Sequence, residues 1–295
     1  MVISFNGLGN EGRLGNQMFQ YAFLRGVAAN INSDWIIPSE DAQRYDNYGL
    51  YDCFVLKNCQ QKNRGESNFN DYVYREMHFN ESAFNWNQGD VNFSGNFQSE
   101  RYFENIIEQI REDFTFNDDY LKPCQEYINS IGGRDENIFL HVRRGSPNLT
   151  GRRGEKWSYQ MIQEYHPLCK KDYYIKALEH FPDKKVIVVS DTIDWCKEQD
   201  WLQDDRFLFS DSSYETFGDG ASVPYIDLCL MSLCGGAIIA NSSLSWWGAW
   251  LQNDTGKVIV PDPWFGSAYA HYDMKDMIPD RWIKIYNDPT PINIE

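Results

Sequence analysis

Basic residues are scarce in this sequence. Its 295 residues include 27 Lys and Arg against 43 Asp and Glu, so the formal net charge is −16. Nucleic acids and anionic membrane surfaces repel a chain with this excess of negative charge, which argues against both as partners. A phosphorylated ligand would need a local cluster of arginines. The densest basic segment contains Arg143, Arg144, Arg152 and Arg153.

Long apolar runs are also missing. The longest mostly apolar segment, residues 228–240, contains Ser232 and two glycines and is too short to cross a bilayer. The first residues lack the charged region and the apolar stretch that a secretion signal requires. The seven cysteines are odd in number and form no CxxC pair, which predicts free thiols in a reducing compartment. We therefore expect a cytoplasmic protein without a transmembrane segment.

Several catalytic and metal-binding motifs are absent. The sequence has no Asp-x-Asp, no HExxH, no EF-hand loop and no paired Cys/His spacing, which disfavours a metal site. It has no GxSxG elbow, so serine-hydrolase chemistry lacks support. The P-loop phosphate motif is missing too, because no Gly-Lys-Ser/Thr follows the Gly-rich loop at residues 7–16. Charge on a phosphate ligand would therefore be met by arginine side chains and backbone N–H groups.

The second half of the chain alternates regularly between short apolar strands and helices. The length indicates two domains, and Gly132-Gly133 marks a boundary, which gives domains 1–133 and 134–295. The predicted fold class is α/β, with a parallel, Rossmann-like sheet in the carboxyl-terminal domain. The strands predicted there are residues 138–142, 186–190, 207–209, 237–240 and 258–260, and the helices are 172–181, 192–199, 225–234 and 244–252. In the amino-terminal domain we predict strands at 2–4 and 35–37 and helices at 15–30, 100–112 and 118–131.

The strand at residues 138–142 is followed by cations. It delivers His141, Arg143 and Arg144 to its carboxyl end, where open α/β sheets bind ligands. A guanidinium fork can donate two parallel hydrogen bonds to a phosphate, so we interpret Arg143 as the group that holds the diphosphate of a nucleotide-sugar donor. His141 lies two residues before Arg143 and therefore on the same face of the strand. A buried structural histidine followed by an ordinary charged loop is the alternative.

Polar residues also follow two other predicted strands. Asp191 comes directly after one of them, and Asn241, Ser242 and Ser243 come after the other. Right-handed crossovers place the carboxyl ends of parallel strands at one edge of the sheet, so these residues are expected near Arg143. Their oxygen and nitrogen atoms suit a ribose, a base or a phosphate. Helix capping is the alternative role for Asp191 and for the two serines.

A Gly-rich loop, residues 7–16, joins the first strand to the first helix. A helix amino terminus behind such a loop offers free N–H groups and a positive dipole end to an anion. A tight turn that lets the strand and helix pack closely is the alternative.

Aromatic residues make up 16% of the chain and include 10 tryptophans. Trp246 and Trp250 are four residues apart and share a helix face. Core packing is favoured over stacking on a sugar for this pair.

Five segments resemble those of the α-1,2-fucosyltransferases, glycosyltransferase family 11. They occur in family order between about residues 13 and 251, and the first and last are long and specific. The segments are GRLGNQMFQYA at 12–22, GNFQSERYF at 95–103, HVRRG at 141–145, VSD at 189–191 and ANSSLSWWGAWL at 240–251.

This resemblance implies a two-domain GT-B-like fold with the donor domain at the carboxyl side. It implies GDP-L-fucose as donor, no cofactor and no essential metal, and transfer with inversion to form an α-1,2 fucoside on a galactose-containing oligosaccharide acceptor. An arginine matching Arg143 is taken to contact the diphosphate. Gly15 and Asn16 would lie near the cleft as donor-binding residues, together with His141 and the other strand-end residues.

The sequence departs from the family pattern at one position. The family usually continues Arg-Arg-Gly with Asp, whereas this chain has Ser146. This change could alter acceptor choice or activity, or be compensated by Glu155 or Asp191. Three hypotheses therefore stand: the fucosyltransferase, a transferase that uses another GDP-hexose, and a non-catalytic glycan-binding protein. The general base is not assigned beyond the acidic residues of the amino-terminal domain.

Overall fold

The computed structural model contains two compact units, each with a parallel sheet. The first unit comprises Met1–Asp118 and Tyr272–Pro279, and the second comprises Asp119–His271 and Asp280–Glu295. The chain therefore leaves the second unit once and returns to it near its carboxyl end. Within these units, the structure describes residues 1–41, 48–144, 159–210, 224–252 and 256–292.

The division between the units differs from the predicted boundary at residue 133. The helix at Asp118–Ser130 belongs almost entirely to the second unit. Its Cys124 thiol lies 3.8 Å from the carbonyl oxygen of Ile226, and the ring of Tyr120 packs edge-on against Tyr225 with 5.5 Å between centroids. These contacts tie the helix to the carboxyl-terminal half, which the glycine pair at 132–133 could not indicate.

The first unit is built on a four-stranded parallel sheet in the order β2-β1-β4-β3. Ile3 of the central strand pairs with Trp35 on one side and with Val91 on the other. The strands and α-helices are β1 (Val2–Ser4), α1 (Leu14–Asn30), β2 (Asp34–Ile36), α2 (Leu50–Cys53), β3 (Asp71–Val73), β4 (Val91–Ser94) and α3 (Ile107–Asp113).

Helix α1 is buried on most of its surface. Buried residues lie on all sides of the helix, and its exposed positions are confined to its last two residues, Ala29 and Asn30. A helix that is apolar all round needs protein on several sides, and α1 contacts β1, β2, α2 and several short 3₁₀ turns. Residues 7–16 thus lead into a helix at the centre of the unit.

The predicted single helix at residues 100–112 is wrong in its first half. Two 3₁₀ turns, Glu100–Tyr102 and Glu104–Ile106, precede α3. Phe103 separates the turns with φ −134° and ψ 14°, and its ring is fully buried. Burial of this ring overrides the helical spacing that the sequence shows.

The second unit contains a six-stranded parallel sheet in the order β10-β9-β8-β5-β6-β7. The strand of this unit that comes first in the sequence, β5, therefore lies in the middle of the sheet. Later strands are added on both sides of it in the Rossmann order. The elements are α4 (Asp118–Ser130), β5 (Asn137–Val142), α5 (Tyr159–Tyr165), α6 (Lys171–Leu178), β6 (Lys185–Ser190), α7 (Ile193–Lys197), β7 (Phe207–Phe209), α8 (Tyr225–Leu233), β8 (Ala237–Ile238), α9 (Ser243–Leu251), β9 (Val258–Asp262) and β10 (Ile283–Tyr286).

Helix α6 covers one face of this sheet. Ile138, Leu140 and Val142 of β5 pack with Tyr173 and Tyr174 of α6 in the core of the unit. Because side chains alternate along a strand, His141 points to the opposite face. Helix α8 packs against β5 as well as α9. The sheet is therefore covered by helices, as its apolar strands predict.

All seven cysteines are free thiols, as predicted, and six of them are buried. Among the described residues, no helix combines the length and the apolar character needed to span a membrane.

Candidate functional site

The centre of the second sheet is its topological switch point. β5 pairs with β6 on one side and with β8 on the other, and all three strands run parallel. The chain runs from β5 to β6 and β7 on one side and then crosses to β8 on the other side of β5, and a reversal of this kind opens a crevice at the carboxyl ends of the strands. The residues that follow these ends are Arg143 and Arg144 after β5, Asp191 after β6, and Asn241, Ser242 and Ser243 after β8.

Arg143 bridges the two sides of the switch point. Its Nη1 donates a hydrogen bond of 3.0 Å to the backbone carbonyl oxygen of Asn241. The side chain is half-buried, so the guanidinium lies at the rim of the crevice. The bond joins the ends of β5 and β8 and fixes the direction of the guanidinium fork.

Asn241 is held by the protein through both ends of its side-chain amide. Its Oδ1 accepts a hydrogen bond of 3.1 Å from the Cys169 thiol, and its Nδ2 donates to the carbonyl oxygens of Pro263 and Trp264. The residue is only 4% exposed. Asn241 was predicted as a donor-binding residue. We interpret its buried side chain as the group that fixes its own backbone carbonyl oxygen, which accepts the hydrogen bond from Arg143.

Asp191 ties the end of β6 to the end of β5. Its Oδ1 accepts a hydrogen bond of 2.9 Å from the backbone N–H of Arg144. The guanidinium of Arg144 lies over the Trp195 ring, 3.8 Å from its centroid. Helix capping is disfavoured as the role of Asp191, because Thr192 holds the N-cap position of α7. The carboxylate is exposed and faces solvent at this edge.

Two imidazoles lie in the field of Arg143, that of the buried His141 and that of the half-buried His166. Burial, with a further contribution from the positive charge of Arg143, lowers the pKa of His141 to about 4, although Asp191 acts in the opposite direction. Burial and Arg143 also lower the pKa of His166 to about 3. Both rings are therefore neutral near pH 7. Among the described residues, neither Nδ1 atom has a hydrogen-bond partner.

Helix α9 begins directly after β8. Ser242 holds its N-cap position with extended backbone angles, but its hydroxyl makes no capping hydrogen bond. Ser245 bonds instead to the carbonyl oxygens of Ala240 and Ser242, each at 3.3 Å. The amino terminus of α9, with Ser243 as its first residue, therefore brings a positive dipole end to the switch point.

The tryptophans of α9 belong to the core. Trp246, Trp247 and Trp250 are at most 1% exposed. Trp246 and Trp250 stack with 6.4 Å between centroids and 11° between planes. The prediction that this pair serves packing is confirmed.

Gly15 and Asn16 lie at the start of α1 in the first unit. Gly15 is buried, and Asn16 Oδ1 accepts a hydrogen bond of 2.8 Å from Gln98 Nε2. Gln20 of the same helix holds the Gly-rich loop, since its Nε2 donates to the Glu11 carbonyl oxygen at 2.9 Å. The bond between Asn16 and Gln98 thus connects the 12–22 segment to the 95–103 segment. A role for Gly15 and Asn16 in donor binding stays a prediction.

Sequence reasoning missed Cys169 and His166. Neither follows a strand, and neither falls in a recognised segment, so no local pattern identified them. Residues 145–158, which include Gly145, Ser146, Arg152, Arg153 and Glu155, lie outside the described residues. Within the described part of the chain, no three His, Cys, Asp or Glu side chains are grouped so that they could hold a metal ion.

The chain is similar to enzymes that transfer sugars. The family model described as glycosyl transferase family 11 matches residues 3–286. The α-1,2-colitosyltransferase of Escherichia coli is 30% identical over 93% of this chain and 96% of its own length. The human galactoside α-(1,2)-fucosyltransferase 1 is 24% identical over 96% of this chain and 75% of that protein.

A solved structure shares the fold. The fucosyltransferase NodZ from Bradyrhizobium aligns with a TM-score of 0.50 at 11% identity, over 84% of this chain and 90% of that chain. This likeness agrees with the predicted GT-B-like α/β fold with parallel sheets. The family model matches nearly the whole length of the chain, and this match shows the family as well as the fold. The chain is a glycosyltransferase and belongs to glycosyl transferase family 11.

Proposed function

We propose that this enzyme transfers L-fucose from GDP-β-L-fucose to the 2-hydroxyl of a galactoside acceptor, with inversion and without a metal ion or cofactor. The family membership supports sugar transfer. The printed names of the relatives support an α-1,2 linkage, and one of them names fucose and a galactoside. Asp-x-Asp, the pair through which many sugar transferases hold a metal, is missing from the sequence.

The observation that carries the proposal is the position of Arg143. Its hydrogen bond to the Asn241 carbonyl holds the guanidinium at the switch point, where parallel α/β sheets bind nucleotides. The amino terminus of α9 begins beside the same strand end, so a cationic fork and a positive dipole end can act on one diphosphate. His141 and His166 are neutral and place no further charge there.

The proposed reaction is a single displacement. The acceptor oxygen forms a bond to the anomeric carbon of fucose as the bond from that carbon to the diphosphate oxygen breaks. The electron pair of the broken bond stays on the diphosphate, where Arg143 and backbone N–H groups stabilise the added negative charge. The acceptor hydroxyl proton passes to a carboxylate base or to water.

A second candidate donor follows from one relative. The α-1,2-colitosyltransferase is named for a different sugar at the same linkage, and it aligns over almost the whole of both chains. The switch-point residues would bind the nucleotide part of either donor equally well. Donor choice therefore depends on groups that contact the sugar ring.

The test is a transfer assay with purified enzyme and lactose as acceptor. GDP-fucose and GDP-colitose are supplied separately, with and without EDTA, and the products are identified by NMR. We expect an α-1,2 fucoside, release of GDP, and the same rate in EDTA. Faster turnover of GDP-colitose than of GDP-fucose would identify colitose as the transferred sugar. Binding of lactose without turnover of either donor would favour the alternative of a non-catalytic glycan-binding protein.

A further inference from the structure

A second cleft lies in the first unit, on the connection between β3 and β4. It has a volume of about 560 Å³ and opens to solvent. Its lining combines two aromatic rings with amide, carboxylate and hydroxyl groups. The residues used below are Tyr72, Asn80, Glu81, Asn85, Trp86 and Gln88.

The aromatic wall of the cleft is held in place from behind. Trp86 and Tyr72 are half-buried, and their rings meet edge-to-face with 5.3 Å between centroids. Both rings pack on the fully buried Phe93, and the Trp86 indole N–H donates 2.9 Å to the Gly89 carbonyl oxygen. The C–H face of a pyranose ring stacks on rings of this kind, whose orientation is set before the ligand arrives.

The polar wall of the cleft is a short, self-bonded turn. Asn80 Oδ1 accepts from the Ser82 backbone N–H at 2.9 Å, and Asn85 Nδ2 donates to the Glu81 carbonyl oxygen at 3.2 Å. The side chains of Glu81 and Gln88 are exposed. Among the described residues, the structure gives neither of these two side chains a hydrogen bond or an ion pair, so both can turn to a ligand.

The charge of the lining selects the ligand class. Glu81 is the charged residue in it, and the lining contains no lysine or arginine. A phosphate or another anion would meet a carboxylate without a compensating cation, which is unfavourable. Hydroxyl groups, by contrast, can donate to the carboxylate and exchange hydrogen bonds with the amides.

The cleft is separate from the Gly-rich loop of the same unit. Trp86 and Gln88 precede the amino end of β4 at Val91, whereas the loop follows the carboxyl end of the parallel neighbour β1 at Ser4. We propose that this cleft binds a neutral hexose ring of an oligosaccharide. The site does not depend on the transfer reaction proposed above.

The test reads binding at Trp86 itself. The full chain is produced with 5-fluorotryptophan, and the ¹⁹F signal that disappears in Trp86→Phe is assigned to Trp86 among the 10 tryptophans. Lactose is then titrated through the millimolar range. We expect a saturable shift of the Trp86 signal, while the signal of Trp201, which stacks on Tyr174 in the second unit, stays in place. A Trp86 signal that does not move overturns the proposal.

Two exposed polar residues and one control refine the test. Gln88→Ala and Glu81→Gln should each weaken lactose binding about two- to tenfold, the effect of one lost or weakened hydrogen bond. Tyr286→Ala removes an exposed aromatic ring from the second unit and should leave the titration unchanged. Unchanged binding in both polar variants would overturn the assignment of the site.

The anionic analogue 3′-sialyllactose tests the ligand class. We expect it to shift the Trp86 signal at higher concentration than lactose, because of the Glu81 carboxylate. Equal or tighter binding of the anion would contradict a site for neutral sugars. A preparation that binds lactose at Trp86 but transfers no sugar would refute the proposed reaction and leave this cleft assigned.

Discussion

The position of the Arg143 guanidinium depends on four other residues that are linked by hydrogen bonds. The backbone carbonyl of Asn241 accepts the bond from Arg143, and the Cys169 thiol and the carbonyl oxygens of Pro263 and Trp264 hold the Asn241 side chain. The strand-end pattern predicted Arg143 and Asn241 from the sequence. It could not predict Cys169, which reaches the site only through tertiary packing.

Replacement of Arg143 tests its role in stabilising the leaving group. Arg143→Ala should lower kcat by about 10²–10³, the effect of removing one preorganised donor in other enzymes. Arg143→Lys keeps the charge but loses the fork, so we expect partial activity. Steady-state kinetics with GDP-fucose provide the measurement, and Arg75→Ala, an exposed arginine of the first unit, is the control. Near-normal turnover of the alanine variant would remove Arg143 from the mechanism.

Cys169 should act through its hydrogen bond rather than through thiol chemistry. Burial raises its pKa to about 12, so the thiol stays protonated and can donate to Asn241 Oδ1. Cys169→Ala leaves that buried oxygen without its donor, which costs about 1–3 kcal/mol and should raise KM for GDP-fucose. Cys169→Ser retains a donor and should restore much of the loss. Equal kinetics for the alanine and serine variants would contradict this role.

The two neutral imidazoles make stability depend on pH. His141 and His166 have depressed pKa values in the folded protein, whereas in the unfolded chain they take up protons below about pH 6.5. Their contribution to stability is therefore complete above pH 6.5 and is lost as the pH falls toward 4 for His141 and toward 3 for His166. Each should cost about 1–2 kcal/mol of unfolding free energy at pH 5.

Urea unfolding between pH 7 and pH 5 measures this loss. His166→Gln should show a smaller decrease in stability than the wild type over the same range. Ile175→Gln, at an exposed position of α6 that carries no titratable group, serves as the control and should follow the wild type. An unchanged pH dependence in His166→Gln would show that this ring is not buried in its neutral form.

At the level of elements, short apolar runs with a clear period were predicted well. β5 is buried throughout and β6 is buried after its first residue, Lys185, and the sequence located both strands to within one residue. β10 was missed, because its residues are mostly exposed and show no buried run. The 3₁₀ turns before α3 were missed for a different reason, since packing of Phe103 interrupts a helical period that the sequence does contain.

Helix α1 contains a glycine that its surroundings require. A Cβ atom on Gly26 would lie 1.9 Å from the carbonyl oxygen of Tyr102 and 2.8 Å from the Phe103 Cα. Gly26→Ala should therefore destabilise the protein by about 1–3 kcal/mol, although alanine is the better helix former by about 1 kcal/mol. Chemical denaturation gives the value.

The exposed Ala29 of the same helix provides the comparison. Ala29→Gly should cost no more than about 1 kcal/mol, which is the intrinsic difference between the two residues. A stabilised Gly26→Ala variant would mean that α1 and the turn at Tyr102 do not approach as closely as described.

At the scale of the whole molecule, the second unit is not a continuous piece of chain. Its last strand, β10, is reached only after the chain has passed through the first unit at Tyr272–Pro279. The sequence predicted a single boundary, because a return of this kind leaves no change in composition. The returning segment is held by the pairing of β10 with β9 and by side-chain hydrogen bonds between residues far apart in sequence.

A chain that ends at residue 279 should therefore be strongly destabilised. It loses the pairing of β10 with β9 and leaves the buried Gln163 without its two hydrogen bonds of 2.8 Å to Ile292. It also loses Asn287, which is 1% exposed and bonds to Leu168 and Lys170. Thermal unfolding should show a Tm below that of the full chain, and an unchanged Tm would contradict a structural role for the returning segment.

The bond between Arg143 and Asn241 has a consequence for biosynthesis. The two residues are 98 positions apart, so the guanidinium leaves the ribosome long before its partner has been translated. The strands β5, β6 and β7 can associate first, and β8, β9 and β10 arrive later to complete the sheet. The crevice proposed to bind the donor is thus the seam where the early and late halves of the nascent sheet join.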